Sequence, residues 1–350
     1  MAKVFVGLSG GVDSSVTAAL LKEAGHDVTG VFILGWYPDW LPCTWRDDRR
    51  DAMRVAAELD IPFVTLDASA EYKKFVIDYL SSEYAAGRTP NPDIMCNKHV
   101  KFGVFHDFVV AQGADLMATG HYARAENGEL YRGDDPGKDQ SYFLWTLPRA
   151  VLERTLFPLG KYKKDEVRKL AKKYELPTAA KPDSQGICFL GDVSIEQFIE
   201  SVVSQKQGSV LSTDGQVIGT HTGALLYTIG ERHGFTIADP HYMKTPLYVV
   251  SKDVQANTIT VASALERQAQ AVKTIYAGQT VWRGKSHEGN ALCQYRHLQE
   301  PIACSYHHDA STQTLIVQLK EARADIACGQ SCVLYDKSGL CYGGGVIDRV

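Results

Sequence analysis

The sequence predicts an α/β protein, with an open parallel sheet carrying helices on both faces, then a small mostly-β middle domain and a C-terminal β-barrel domain. In the first half, short apolar runs typical of buried parallel strands alternate with helical patterns. From about Gln207 onward, short strands and glycine-containing turns replace the long helical patterns. A chain of 350 residues also exceeds what a typical single core supports. We therefore expect domains at residues 1–204, 205–266 and 267–350.

Within the first domain, apolar runs predict the strands and the patterns between them predict the helices. The strands are Lys3–Val6, Val28–Phe32, Phe63–Leu66 and Leu116–Thr119. The helices lie near Asp47–Leu59, Glu71–Ala86, His99–Gln112 and Ser194–Val203. Asn127-Gly128 is the turn signal of a hairpin. Because ligands bind at the carboxyl ends of parallel strands, we expect a site beside the turns that follow the first and fourth strands.

The second half contains shorter strands separated by turns. Asp214-Gly215 and Ile218-Gly219 predict turns in the middle domain. The last domain has predicted strands near Gln279–Trp282, Ala291–Tyr295 and Thr314–Gln318. These short strands are typical of an all-β region and predict its barrel-like fold.

Composition excludes several classes of protein. Hydrophobic residues make up 45% and charged residues 22%, as in ordinary soluble domains, and no apolar stretch is long enough to cross a bilayer. We expect a cytoplasmic protein with no membrane partner. The eight cysteines have no paired metal-binding spacing, so no metal site is predicted from them. A net charge of −4 argues against indiscriminate nucleic-acid binding but leaves room for a local basic surface.

A glycine-rich turn follows the first strand and opens a helix. It reads Gly7-Leu8-Ser9-Gly10-Gly11-Val12-Asp13-Ser14-Ser15. Its glycines allow the backbone to approach an anion, and the helix start supplies unpaired N–H groups and a positive dipole end. No Gly-Lys-Ser/Thr follows, so this is not the lysine-bearing P-loop. The alternative is an ordinary strand-to-helix turn.

A second segment, Arg88–Lys98, combines two prolines with a carboxylate and a thiol. Asp93 and Cys96 are three residues apart, so a helical turn there would place both side chains on one face. Asp93 could act as an acid or base, although its charge raises the pKa of a neighbouring thiol. Lys98, or the N-terminus of the following helix, could lower that pKa again. A buried structural cysteine explains this segment equally well.

Three other polar segments have two interpretations each. Cys188 has apolar neighbours and reads locally as a core cysteine, yet it follows the loop Lys181–Gly186, whose composition is common at sites. Lys138-Asp139-Gln140-Ser141 could be a helix cap. The cationic helix within Lys161–Tyr174 is either a solvated face or a contact for a phosphate backbone.

Taken together, these motifs resemble one family. S-G-G-x-D-S resembles the pyrophosphate loop of ATP pyrophosphatases, whose sheet is of the adenine nucleotide alpha hydrolase type. The whole set resembles the bacterial tRNA-specific 2-thiouridylases in motif order across nearly the entire chain. The motifs are S-G-G-V-D-S-S, G-R-T-P-N-P-D-I-x-C-N-K, A-T-G-H-Y, G-K-D-Q-S-Y-F-L, D-S-x-G-I-C-F and the closing G-G-G.

The resemblance implies roles for the matching positions. Residues Gly7, Leu8, Ser9, Gly10, Gly11, Val12, Asp13 and Ser14 would hold ATP phosphates, with Ile33 and Gly120 near the adenosine. Asn91, Pro92 and Asp93 would surround the target base, with Asp93 as acid or base. Cys188 would carry sulfur as a persulfide, with Cys96 as partner thiol. Contacts with tRNA would come from His121, Lys138, Asp139, Gln140, Gln294, Tyr295 and Gln330, although Gln294 stands where the family usually has Arg.

The implied reaction is ATP-dependent adenylation of the 2-carbonyl of the wobble uridine, then replacement of oxygen by sulfur. Magnesium would screen the phosphate charge, and a persulfide donor or relay protein would load Cys188. Three alternatives differ in class: an amide-forming ATP pyrophosphatase without thiol dependence, an iron–sulfur enzyme using both cysteines as ligands, and an RNA-binding protein without catalysis. Thiol dependence, iron content and tRNA-stimulated AMP release separate them.

Overall fold

The first sheet is parallel and lies in the N-terminal part of the chain. The computed structural model describes residues 1–38, 45–183, 188–189, 193, 197–198 and 206–350. The sheet has the order β3-β2-β1-β4-β7. Its strands are β1 Lys3–Gly7, β2 Asp27–Leu34, β3 Phe63–Asp67, β4 Leu116–Ala118 and β7 Thr155–Leu156, and β5 Ala123–Glu126 pairs with β6 Glu129–Arg132 as a separate hairpin.

Helices cover both faces of this sheet. They are α1 Val12–Glu23, α2 Trp45–Glu58, α3 Ser69–Tyr72, α4 Asp78–Ala85, α5 Pro92–Met95, α6 Phe105–Ala111, α7 Arg149–Leu152 and α8 Lys164–Lys173. π-helical turns at Lys73–Ile77 and Cys96–Val104 join α3 to α4 and α5 to α6. Short 3-10 turns lie at Ser141–Phe143 and Pro158–Lys161.

The strands of this sheet are buried on both sides. On β1, Phe5 packs into one hydrophobic cluster, while Val4 and Val6 pack into another on the opposite face. Residues from α4 to α6 fill the first cluster, and residues from α1, α2 and α8 fill the second. Because alternate strand residues point to opposite faces, two covering layers are required to bury both sets. The predicted fold class is confirmed for this sheet.

The second sheet is mixed and lies in the middle of the chain. Its order is β10-β9-β8-β12-β11, with β8 and β12 parallel. The strands are β8 Gly208–Leu211, β9 Val217–His221, β10 Phe235–Ile237, β11 Leu247–Asp253 and β12 Thr258–Ser263; a 3-10 turn at Ala224–Leu226 and helix α9 Ala264–Ala269 complete this part. The turn predicted at Ile218-Gly219 is wrong, since both residues lie within β9. A β-carbon on Gly219 would lie 2.0 Å from the carbonyl oxygen of Thr236, so the glycine serves close strand pairing.

The C-terminal part is a closed six-stranded barrel, as predicted, with the order β13-β16-β15-β14-β17-β18. Its strands are β13 Val272–Trp282, β14 Glu288–Gln294, β15 Ile302–Asp309, β16 Thr314–Arg323, β17 Ser331–Tyr335 and β18 Cys341–Arg349. The barrel contacts the first domain through polar groups. The guanidinium of Arg283 donates to the carbonyl oxygens of Trp145 at 2.8 Å and Leu147 at 2.7 Å.

The domain boundaries stay predictions. The boundary after residue 204 and nearly all of the helix predicted at 194–203 lie outside the described residues, and the boundary after 266 falls within α9. In the described ranges, no helix combines the length and apolar character needed to cross a membrane.

Position 10 requires glycine for two reasons, its backbone conformation and the close approach of a neighbouring helix. Its φ is +76°, and a β-carbon there would lie 2.3 Å from the carbonyl oxygen of Asp48 in α2. We expect Gly10→Ala to lower the free energy of unfolding by about 2–4 kcal/mol, because left-handed strain and overlap add. Gly25 has a φ of +81° with no heavy atom within 4 Å, so Gly25→Ala should cost about 1 kcal/mol. Urea denaturation of both variants measures how much the overlap with Asp48 adds to the cost of the left-handed backbone. An equal loss of unfolding free energy in the two variants would contradict this explanation.

Candidate active site

The glycine-rich loop joins the carboxyl end of β1 to the start of α1. Gly11 is the residue before α1, and no side chain caps the first turn of that helix. The hydroxyl groups of Ser9 and Ser14 lie 3.1 Å apart, and Ser14 Oγ donates to the carbonyl oxygen of Gly11. The first-turn N–H groups of a helix have no partner within the helix. This loop therefore presents N–H and hydroxyl donors, together with the positive helix end, to an anion.

Two further residues border this loop. Gly120 follows β4, and a β-carbon on it would lie 2.9 Å from the backbone nitrogen of Ser14. Ile33, near the carboxyl end of β2, is buried at 7% exposure in the core. The structure therefore places both residues at the strand ends that flank the loop, with Gly120 directly against α1.

Charged side chains link the loop to the segment that precedes Cys188. Lys164, at the start of α8, lies 2.7 Å from one carboxylate oxygen of Asp13 and 2.9 Å from that of Asp183. Tyr122 donates its hydroxyl to Asp13 at 2.8 Å. Asp183 also pairs with Arg168 and Lys138 at 2.6 and 3.0 Å. Burial opposes ionisation of Asp183, but its bonds to Lys164 and Lys138 lower its pKa to about 2.

These contacts revise one interpretation of the cationic helix. The α8 residues Lys164 and Arg168 face the glycine-rich loop and Asp183, and so are engaged inside the first domain. Lys172 and Lys173 lie on the exposed side. The inward half of α8 is therefore part of the candidate site for anions.

The segment with Asp93 and Cys96 is helical from Pro92 onward. Asn91 caps it, with its side-chain oxygen accepting from the backbone N–H groups of Asp93 at 3.1 Å and Ile94 at 3.2 Å. Pro92 occupies the first helical position, where its missing N–H has no cost. The helix thus begins earlier than the predicted His99, and Asp93 and Cys96 lie one turn apart.

Cys96 and Cys188 lie side by side although 92 residues separate them in the chain. The two thiols are close enough for Cys188 to shift the pKa of Cys96, and the ammonium of Lys101 lies 3.5 Å from the sulfur of Cys188. Burial and the neighbouring Cys188 raise the pKa of Cys96, while Lys101 lowers it. Burial disfavours the charge on Lys101, but the two sulfurs and Asp93 together raise its pKa. The lysine can therefore stabilise a thiolate in this pair.

Two further groups hold the backbone of Cys188. Its N–H donates to Asp93 at 3.4 Å, and its carbonyl oxygen accepts from the hydroxyl of Tyr72 at 2.6 Å. Burial, followed by the charges of Cys96 and Cys188, raises the pKa of Tyr72, so its hydroxyl stays a donor. In the described part of the chain, no three His, Cys, Asp or Glu side chains are grouped to hold a metal ion.

A cleft of about 500 Å³ opens beside Asp93, and we call it the Asp93 cleft. Residues of the first domain, of the middle sheet's region and of the barrel form its walls. Its lining residues are Tyr84, Thr89, Pro90, Asn91, Pro92, Asp93, Phe143, Leu226, Thr228, Ile229, Gly230, Glu231, Arg296, His297 and Gln330. The ring of His297 packs against Phe143 with centroids 4.3 Å apart, and burial lowers the pKa of His297. Ring surfaces and polar groups of this kind suit a nucleobase.

The residues expected to contact tRNA occupy varied environments. Three of them, Gln294, Tyr295 and Gln330, belong to the barrel. Gln330 lines the Asp93 cleft and donates to the carbonyl oxygen of Thr89 at 2.8 Å. Tyr295 is 2% exposed and donates its hydroxyl to Asp325 at 2.9 Å. Gln294 is equally buried, with its amide on the carbonyl oxygen of Arg296.

The remaining four lie in the first domain. His121 is 8% exposed and bonded to Thr119, and burial holds its pKa well below the usual value. Lys138 pairs with Asp183, as described above. Gln140 accepts from the backbone N–H of Tyr122 at 3.0 Å. Asp139, 3% exposed, accepts from the N–H groups of Gly133 and Ser141 and from Arg132, so it organises the turn before Ser141–Phe143. The structure thus gives His121 and Asp139 internal partners.

The sequence interpretation missed Lys101, Tyr72, Lys164, His297 and Arg296. Lys98, the lysine named from sequence as the thiol's partner, is exposed, and Lys101 takes that place. A π-helical turn covers Cys96–Val104, and it aligns residues five apart. With ordinary α-helical spacing, Val100 and not Lys101 would share a face with Cys96. Lys101 could therefore have been identified from the sequence only if the π-helical turn had been predicted.

Comparisons with known proteins cover the full chain. Family models match at residues 2–192 (tRNA methyl transferase HUP domain), 196–263 (tRNA methyl transferase PRC-barrel domain) and 272–347 (Aminomethyltransferase beta-barrel domain). A tRNA-specific 2-thiouridylase MnmA from Enterococcus faecalis is 39% identical, covering 99% of this chain and 95% of the relative. The protein of the same name from Akkermansia muciniphila is 41% identical, covering 100% and 99%. That from Neisseria meningitidis serogroup A is 40% identical, covering 98% and 95%.

The family models are named for methyl transfer, whereas the relatives are named for thiolation. The relatives match over nearly their entire length. The chain therefore belongs to the tRNA-specific 2-thiouridylase family.

Proposed function

We propose that this protein uses ATP to replace the 2-oxygen of a tRNA wobble uridine with sulfur delivered through Cys188. The observation that carries the proposal is the proximity of Cys96 and Cys188, which share Lys101 and Asp93 as neighbours beside the Asp93 cleft. A thiol pair is what persulfide transfer requires, because one sulfur carries the transferred atom and the other releases it. Methyl transfer or amide formation has no use for such a pair.

ATP would bind at the glycine-rich loop. Residues Gly7–Ser14 supply the phosphate donors, with Ile33 and Gly120 at the flanking strand ends. Lys164 lies close enough to this loop to exchange its contact with Asp13 for a phosphate oxygen. Mg²⁺ would screen the phosphates, and the carboxylate of Asp13 is the oxygen donor of the loop that suits it.

In the first step, the 2-oxygen of uridine attacks the α-phosphorus of ATP. A bond between that oxygen and phosphorus forms, the bond to the β-phosphate breaks, and pyrophosphate leaves. The N3 proton of the base is lost at this point, and Asp93 is the carboxylate that lines the cleft and can accept it. Asn91 fixes Asp93 through the helix cap, which orients the carboxylate.

In the second step, a persulfide on Cys188 attacks carbon 2 and AMP leaves. Cys96 then attacks the sulfur of Cys188, forming a Cys96–Cys188 disulfide and releasing the thiolated base. The sulfane sulfur gains two electrons from the two cysteines, and the base regains a proton. A persulfide donor or relay protein reloads Cys188, and a thiol reductant reopens the disulfide.

A single-turnover assay tests the proposal. Unmodified tRNA is mixed with ATP, magnesium and persulfide-loaded protein, and thiolated uridine, AMP and pyrophosphate are each quantified. We expect one AMP and one pyrophosphate for each thiolated uridine, and no thiolation without ATP. Thiolation that proceeds equally without ATP, or AMP release that tRNA does not stimulate, would contradict the proposal.

A further inference from the structure

A second cleft lies between the middle sheet and the barrel, and we call it the Arg267 cleft. Its volume is about 610 Å³. Helix α9 and strand β11 form one side, and strands β13 and β16 form the other. The lining residues are Tyr248, Ala264, Arg267, Gln268, Lys273, Lys320, Glu321, Ala322, Arg323, Ala324 and Asp325. None of the motifs recognised in the sequence contributes to this cleft.

The Arg267 cleft is cationic in a chain whose net charge is −4. Arginine and lysine supply four of its lining residues, and acids supply two. Both acids have partners, since Asp325 accepts the hydroxyl of Tyr295 at 2.9 Å and Glu321 pairs with Arg323 at 3.3 Å. Among the ion pairs of the described residues, none involves Lys273 or Lys320. Two exposed lysines on neighbouring strands without an acidic partner favour an anion between them.

The two arginines of this cleft are held in place. The guanidinium of Arg267 lies 4.8 Å from the ring centre of Tyr248, and its Nε donates to the carbonyl oxygen of Ala324. Arg323 is held by its ion pair with Glu321 at 3.3 Å, and its buried Nε has no hydrogen-bond partner. Arginine that is stacked and anchored loses little conformational freedom when it binds a phosphate.

Gly230 forms the boundary between the two clefts. It lines the Asp93 cleft, and a β-carbon built on it would lie 3.4 Å from Nη2 of Arg267. The same point lies 3.3 Å from Nη2 of Arg296, which lines the Asp93 cleft. Gly230 thus separates the Asp93 cleft from the Arg267 cleft. The Arg267 cleft is therefore within reach of the backbone of a polynucleotide that places one base in the Asp93 cleft.

We propose that the Arg267 cleft binds backbone phosphates of the RNA strand beside the nucleotide that enters the Asp93 cleft. The proposal rests on the proposed function for the identity of the RNA, but it makes a separate claim about where phosphates bind. Phosphate contacts position the strand without reading its sequence. The cleft would therefore set register and affinity, while the chemistry takes place at Asp93 and the cysteines.

The test compares two double variants of equal charge. Lys273→Gln/Lys320→Gln removes both unpaired cations of the cleft, and Lys285→Gln/Lys337→Gln removes two exposed lysines elsewhere. Affinity for unmodified tRNA is measured by filter binding from about 50 to 200 mM salt. We expect the cleft variant to lower the slope of log affinity against log salt by about 2, and to weaken binding roughly tenfold at the lower salt.

The control variant should change the slope much less. Equal changes in both variants would mean diffuse electrostatic attraction and would overturn the proposal, as would an unchanged slope in the cleft variant. A parallel titration with pyrophosphate separates the two sources of phosphate: if the cleft variant alters pyrophosphate affinity and leaves tRNA affinity intact, the RNA assignment is wrong. Binding is read without catalysis, so a failure of thiolation leaves this result interpretable.

Discussion

Replacing either Cys96 or Cys188 by serine should abolish thiolation of tRNA, reducing the single-turnover rate by at least about a thousandfold. Serine keeps the size of the side chain but forms neither a persulfide nor a disulfide. ATP binds at the glycine-rich loop in this mechanism, so tRNA-stimulated release of pyrophosphate should continue in both variants. Rapid quench with separate quantification of pyrophosphate and thiolated uridine measures the two steps.

The two cysteine variants should fail at different points. Cys188→Ser cannot accept the persulfide, so radiolabelled sulfur should not appear on the protein or the base. Cys96→Ser should accept it and stall with the base attached to Cys188, because no thiol is left to release it. Cys328→Ser, a partly exposed cysteine of the barrel, is the control and should keep full activity. Full thiolation by Cys96→Ser would remove that residue from the mechanism.

The second large effect is expected at Lys101. Its ammonium lies 3.5 Å from the sulfur of Cys188 and lowers the pKa of Cys96, which burial raises. Lys101→Met should raise that pKa further, so that less thiolate is present near neutral pH. Each unit of upward shift reduces the thiolate fraction about tenfold below the pKa. We expect thiolation to fall by ten- to a hundredfold, roughly, at about pH 7.

The pH profile separates this electrostatic role from simple loss of structure. The rate limited by the Cys96 thiolate rises with pH until the pKa is passed, and removing a cation moves that rise to higher pH. Lys101→Met should therefore move the rise in rate to higher pH, and Lys101→Arg should keep the profile near that of the wild type. A Lys101→Met profile that levels off at the same pH as the wild type, with a lower rate throughout, would contradict the role.

The sheet and the loop could be predicted from sequence because their signals are local. Apolar runs such as Val28–Phe32 are buried on both faces, and a run of this kind has few alternative structures. In the glycine-rich turn, the glycines that allow close approach and the helix start that attracts an anion lie within nine residues. The turn predicted at Ile218-Gly219 was wrong because the glycine there serves the approach of a neighbouring strand, which the local sequence does not specify.

The thiol site depended on information that no local pattern contains. Proximity of Cys96 to Cys188 arises from packing of Tyr72 and Asp93 against the backbone of Cys188. Lys101 reaches the sulfurs because the helix widens into a π-turn, and Lys164 reaches Asp13 from a helix 151 residues away. The Asp93 cleft requires all three parts of the chain, so its shape follows only from their assembly.

The most direct measurement is the stoichiometry of the Cys96–Cys188 disulfide after one turnover. Protein carrying a persulfide on Cys188 is mixed anaerobically with ATP and unmodified tRNA, then quenched in acid with a thiol-blocking reagent. Peptide mass spectrometry quantifies the cross-linked pair, and nucleoside analysis quantifies thiolated uridine. We expect one disulfide for each thiolated uridine, with the same time course. Thiolated uridine that accumulates while both cysteines stay free would contradict the central claim that this pair delivers the sulfur.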